Sequence, residues 1–180
     1  MRYAALLRGV NLAGNKMVAM AELRAALTKL GFTDVSTLLQ SGNAVFTAPG
    51  SAATVAGAVE AAMAARLDVT ARVLVRSPTR LGKAIDADPF GERAAEGSKH
   101  FLGFLDGTPP KATVDAVPQL GDDADTAPDE ARFVAGHLYL WCPNGISRST
   151  LWQVNWDKVL GTAVTMRNWN TVTKLLELAG

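Results

Sequence analysis

The strongest constraint on this chain is an order of elements that can be read twice along it. Residues 3–8 (YAALLR) read as a buried strand, and MAELRAALTKL (20–30) as a helix with Met20, Leu23, Ala26, Leu27 and Leu30 on one face and Gly31 as its stop. Two strands follow, VSTLLQ (35–40) and NAVFTA (43–48), joined at Ser41-Gly42, a dipeptide suited to a tight hairpin. A helix over 51–67 aligns Val55, Val59, Met63 and Leu67, TARVLVR (70–76) alternates as a strand, and Ser77-Pro78 opens a short helix. Beyond the polar DADPFGERAAEG (86–97) the order recurs: strand KHFLGFL, a short helix near 113–120, strands ARFVA and HLYLWC, a helix over 150–160, strand TAVTMR and a last helix. In that helix Val172, Leu175, Leu176 and Ala179 fall at i, i+3, i+4 and i+7. The repeat is one of element order rather than residue identity.

A β-α-β-β-α-β unit closes most simply as a split, ferredoxin-like sheet with strands in spatial order 4-1-3-2 and its helices on one face. The expectation is therefore an α+β chain of two ferredoxin-like halves, residues 1–90 and 91–180, with a linker at about 86–97. GDDADTAPDE (121–130) reads as a solvated loop inserted in the second half.

This topology also predicts which loops meet. Strands one and two run the same way, so the loop after strand one lies at the same end of the sheet as the hairpin between strands two and three. Arg8, Asn11 and Lys16 then come beside Gln40, Ser41 and Asn43. In the second half, strands three and four share a direction, so Asn144, Ser147, Arg148 and Ser149 come beside Arg167, Asn168 and Asn170. The first loop, LLRGVNLAGNK, nearly matches a phosphate-cradling P-loop, but its Lys arrives one residue late and Met17 stands where the metal-binding hydroxyl belongs. Two readings stay open for these loops. One is an anion cradle of backbone N–H groups, amides and guanidiniums; the other is a set of turns whose glycines and asparagines merely fix the backbone. Arg148 bears most on the choice, because it precedes a predicted helix, where a cation opposes the helix dipole by about 0.3–1 kcal/mol. A bound anion would reverse that sign, and a salt bridge to the acidic middle segment is the structural alternative.

Catalytic signals are thin. The loops carry no Asp, Glu or His to act as a general base. His100 and His137 show no ligand spacing, so neither a metal nor another cofactor is expected. Cys142 alternates with Leu138 and Leu140 and reads as core, and Trp152, Trp156 and Trp169 read as packing. Tyr139 and Trp141 share one side of their strand, which suggests an RNA-stacking platform or an aromatic packing pair.

Composition narrows the partners. With 48% apolar and 19% charged residues the 180-residue chain is an ordinary globular protein. A lone cysteine suits a reducing cytoplasm, Arg8 interrupts what superficially resembles a secretion signal, and no run is long enough to span a membrane. Charge is segregated: residues 1–85 carry ten basic and four acidic side chains, residues 86–132 four and eleven, and residues 133–180 four and two. Basic ends attract an anionic ligand locally but fall short of a dedicated nucleic-acid footprint. The leading expectation is a small, phosphate-bearing ligand; an RNA-binding module and a ligand-free structural protein are the alternatives, and the oligomeric state stays open.

Four stretches, LLRGVNLAGNKM, LQSGNAVF, CPNGISRS and RNWNTV, resemble in order the motifs of a bacterial family known as domain of unknown function 1697, with similarity from about residue 2 to residue 178. The resemblance implies a two-part α+β structure of ferredoxin-like character, without assigned activity or catalytic residues to carry over. Trp152 and Trp156 depart from the family pattern.

Overall fold

The computed structural model describes residues 1–11, 17–117 and 128–180, with the side chains of residues 93 and 94 left aside. Among these residues eight strands and six α-helices follow in the order β1 (Arg2–Leu7), α1 (Met20–Lys29), β2 (Thr33–Leu38), β3 (Asn43–Thr47), α2 (Ala52–Leu67), β4 (Val73–Arg76), α3 (Pro78–Asp86), β5 (His100–Leu105), α4 (Lys111–Asp115), β6 (Glu130–Val134), β7 (His137–Trp141), α5 (Trp156–Leu160), β8 (Val164–Asn168) and α6 (Trp169–Ala179). They form two four-stranded antiparallel sheets, β2-β3-β1-β4 and β6-β7-β5-β8. Each has the order 4-1-3-2 expected from the element order. The chain divides into two compact units, Met1–Gly82 with Lys174–Gly180, and Lys83–Thr173. The division falls before the expected 90/91, within α3, and the last seven residues belong to the first unit.

In the first unit, Tyr3, Ala5 and Leu7 of β1 join Ala44, Phe46, Val73 and Val75 under α1 and α2. Leu23 and Leu27 of α1 and Val59 and Met63 of α2 are the helical side of this core, and each fully buried aliphatic chain stabilises it by about 1.5–3 kcal/mol. Ala4 and Leu6, which point the other way, are buried too. That is why β1 reads as an unbroken apolar run instead of an alternation. Helix α2 starts where Ser51 Oγ accepts from Thr54 N and stops at Asp68, which turns left-handed at φ 53°.

In the second unit, Phe101, Leu105, Ala131, Leu138 and Leu140 of the sheet pack with Leu151, Trp156 and Leu160. Several elements differ from expectation here. The helix predicted over 150–160 is a single 3-10 turn, Thr150–Trp152, followed by α5, whose cap is Asn155 accepting from Lys158 N. The linker contains a 3-10 turn, Gly91–Ala94. The predicted loop at 121–130 lies outside the described residues except for its last three. The two-residue hairpin expected at Ser41-Gly42 is a four-residue connection between Leu38 and Asn43, with Leu39 (φ 59°) and Gly42 (φ 75°) left-handed. The tight turn occurs instead in the second sheet, where Val134 pairs with His137 across Ala135 (φ 49°) and Gly136 (φ 80°).

The repeat reaches individual residues at one joint. Arg76 of β4 pairs with Ala4, the third residue of β1, and Arg167 of β8 pairs with Leu102, the third residue of β5. Each guanidinium donates to the carbonyl of its own predecessor, Val75 or Met166. The next residue then caps a helix in both places: Ser77 Oγ accepts from Arg80 N, and Asn168 Oδ1 accepts from Thr171 N.

Candidate functional site

In the first unit the loop after β1 and the β2–β3 turn do meet. Leu7 N donates to Gly42 O (2.8 Å), and Asn11 Nδ2 donates to Gln40 O (2.7 Å) and Val18 O (2.9 Å), while Asn11 Oδ1 accepts from Val18 N (2.7 Å). Asn11 is left-handed at φ 54°, a conformation Asn tolerates better than most residues. Its amide is thus a clamp between two loops. Asn43, fully buried, donates to Leu38 O and Ser41 Oγ and closes the turn. Both were expected to offer donors to a ligand, and the structure spends those donors on backbone and turn instead. Gln40 and Ser41 are exposed at the tip, Arg8 is half-buried with its N–H on Arg72 O, and Lys16 lies outside the described residues. The Arg72 guanidinium sits 3.6 Å from Glu60 Oε2.

In the second unit both predicted loops anchor on the segment before β5: Cys142 N donates to Lys99 O and Trp169 N to Gly97 O. A Cβ on Gly97 would collide with Asn170 Oδ1 and lie 3.2 Å from Asn170 N, so any larger residue there would displace the Asn170 side chain. Asn168 is the cap of α6 and accepts from both N and Oγ1 of Thr171. Ser149 does not cap a helix with its side chain; it is buried and its Oγ accepts from Cys142 Sγ at 3.3 Å. Arg167 lies on the sheet face opposite Met166, which packs on the core. Burial pushes its guanidinium pKa down to about 10, so it is still charged at neutral pH. Asn144, Ser147 and Arg148 are exposed. Arg148 has no hydrogen bond or ion pair from its side chain among the described residues, so the salt bridge to the acidic middle is not formed there. Since it ends one 3-10 turn, Ile146–Arg148, and is followed by another, Thr150–Trp152, rather than by an α-helix, it does not meet the helix dipole expected from sequence.

The chemistry available is that of binding groups. Burial raises the Cys142 thiol to about 11, which removes it as a nucleophile at neutral pH. Among the described residues no group of three His, Cys, Asp or Glu side chains is placed to hold a metal ion, and no helix is long and apolar enough to cross a membrane. Tyr139 is fully buried, its hydroxyl donating to Ala84 O at 2.7 Å, so it offers no face for stacking and the RNA platform drawn from sequence loses half its surface.

Two features escape the sequence. His100 is fully buried, stacked on Trp169 and 3.3 Å from Asp88; its alternation with Leu102 and Phe104 is the available signal. Trp152, which reads as packing, does contact Phe101 but is 51% exposed. Trp156, by contrast, is buried and donates Nε1–H to Leu151 O, as packing predicts.

No curated protein matches the chain. A solved structure, the conserved bacterial protein SP0830 from Streptococcus pneumoniae, is similar with a TM-score of 0.74 at 24% identity, covering 99% of this chain and 98% of that one. At that identity the likeness establishes the fold alone. The family model described as protein of unknown function DUF1697 matches residues 1–139, which takes in LLRGVNLAGNKM and LQSGNAVF and stops short of CPNGISRS and RNWNTV. With that match over most of its length, the chain belongs to the DUF1697 family.

Proposed function

We propose that this protein binds a small anionic ligand, phosphate-bearing, with Arg148 as the anchoring cation and Asn144 and Ser147 as neighbouring donors. One observation carries the reading: the Arg148 guanidinium stands exposed and unpaired among the described residues, on a loop whose backbone is held by Gly145 N on Cys142 O, Arg148 N on Gly145 O and Ser149 N on Ile146 O. A guanidinium on a fixed loop recognises an oxyanion at little ordering cost. Arg8, half-buried just after β1, is the cation of the first unit's loop. Asn11, Asn43, Asn168 and Arg167 belong to the supporting structure on this reading. With no general base in these loops, the reading is of binding, in a reducing cytoplasm that suits the lone thiol.

The test is calorimetric titration with inorganic phosphate and ribose 5-phosphate against the native protein, Arg148→Ala and Arg8→Ala. Binding lost in Arg148→Ala, with the melting temperature unchanged, supports the reading; equal binding by Arg148→Ala and native protein overturns it.

A further inference from the structure

The indole of Trp152 is half exposed on a segment that is otherwise firmly held. Its neighbour Leu151 is fully buried, Ser149 is buried against Cys142, and the backbone is tied by Trp152 N on Ser149 O and Gln153 N on Thr150 O. Behind the ring stands Phe101, centroids 5.9 Å apart and 46° between planes. Phe101 itself sits in the middle of the sheet, paired with Leu140 on one side and Asn168 on the other, so the indole is backed by a fixed ring. A large flat apolar group left half in water on rigid backbone is a poor contribution to folding and a suitable surface for another flat ring.

Trp152 also stands four residues after Arg148, separated from it by the anchors Ser149 and Leu151. Between about 8 Å, if the backbone were 3-10 throughout, and about 14 Å, if extended, separates their Cα atoms. Two long side chains leaving the same short segment can therefore reach the two ends of one small molecule. A guanidinium fixes a phosphate, and an indole face fixes a planar heterocycle irrespective of its hydrogen-bonding edge.

We infer that the ligand of this loop is a 5′-mononucleotide, its phosphate on Arg148 and its base stacked on Trp152. This inference rests on the anion-binding reading above and adds to it the class of molecule. It predicts weak discrimination among the four bases, because stacking reads a ring rather than its edge. It also assigns the two side chains separable duties, phosphate affinity to Arg148 and the advantage of nucleotide over sugar phosphate to Trp152.

The experiment titrates AMP, CMP, ribose 5-phosphate and a short RNA into the full chain, with Arg148→Ala, Trp152→Leu and Trp152→Phe, following heat and indole fluorescence. AMP is expected to bind about tenfold more tightly than ribose 5-phosphate. Trp152→Leu should bring AMP to the level of ribose 5-phosphate without changing the latter, Trp152→Phe should keep part of the difference, and Arg148→Ala should weaken every ligand. If no phosphate compound binds, the anion reading and this inference fall together. If ribose 5-phosphate binds as well as AMP, or Trp152→Leu leaves the AMP advantage intact, the base-stacking assignment alone is overturned. Short RNA that binds more tightly than the mononucleotides overturns it in favour of a polymer. Unaltered melting temperatures in the three variants show that none of these results is a folding defect.

Discussion

The imidazole of His100 lies nearly parallel to the indole of Trp169, centroids 4.1 Å apart and 14° between planes, and meets the ring of Phe90 nearly at right angles, centroids 5.6 Å apart. Asp88 Oδ1 is 3.3 Å from Nε2, yet neither ring nitrogen has a hydrogen-bond partner among the described residues. The Asp88 carboxylate is turned to the backbone, accepting from Phe90 N and Gly91 N.

Burial holds the His100 pKa below its ordinary value of 6.5, and the charge of Asp88 offsets this only in part. The unfolded chain therefore takes up a proton near pH 6.5 that the folded chain refuses. Stability from this group is full above that pH and declines as pH falls from 6.5 towards the lowered value. Melting curves between pH 8 and pH 5 are expected to show this decline in the native protein and a smaller one in His100→Phe, which keeps a ring against Trp169. An unchanged pH dependence in the variant would refute the assignment.

Replacing Asn11 separates a conformational duty from a hydrogen-bonding one. Asn11→Gly keeps access to φ 54° but strands the buried Val18 N–H, and a loss of about 1–3 kcal/mol is expected in urea unfolding. Asn11→Ala adds the left-handed strain and should lose about 1 kcal/mol more. Equal stability of the two variants would show that the strain is relieved by movement of the loop.

Gly42 is required by space as well as by its φ of 75°. A Cβ there would come within 2.5 Å of Val10 Cγ2 and 2.9 Å of Leu7 Cβ. Gly42→Ala is expected to destabilise by about 2–4 kcal/mol, combining overpacking and left-handed strain. Gly9 is also left-handed, but a Cβ on it would meet nothing within 4 Å, so the same change there should lose only about 1 kcal/mol. Urea unfolding of the two variants side by side checks the difference.

The Cys142 thiol should resist iodoacetamide at pH 8 in the native protein, since it is fully buried, titrates near 11 and donates to Ser149 Oγ. Rapid labelling in urea and none in buffer is the expected pair of results. Ser149→Ala removes the hydroxyl that can turn to donate to the thiolate, and should raise the pKa further.

The sheets were legible because their signal is periodic: two runs of β-α-β-β-α-β permit few closures, and both took the order 4-1-3-2. Helices α1 and α2 lie within a residue or so of their predicted limits, since Met20, Leu23 and Leu27 or Val55, Val59 and Met63 mark an inner face. Short elements were not legible. The region from Thr150 to Leu160 carries Trp, Leu and Val at near-helical spacing, but Asn155 interrupts it by capping its own second segment. The loops were found by topology, whereas their duties were not, because an amide looks the same in sequence whether it faces solvent or its own chain. Asn11 and Asn43 were spent on the backbone, and the exposure of Trp152 left no trace in the order of residues around it.

The junction of β8 with α6 has a bearing on how this chain can change over generations. Asn168 ends the strand and Trp169 begins the helix, with nothing between them. Inserting one residue there would turn the helix by about 100° and carry the buried Val172 and Leu175 off the inward side. The Arg76-Ser77-Pro78 joint tolerates little more. Lineages descended from such a chain are therefore freer to vary in length elsewhere, while these two seams keep their count.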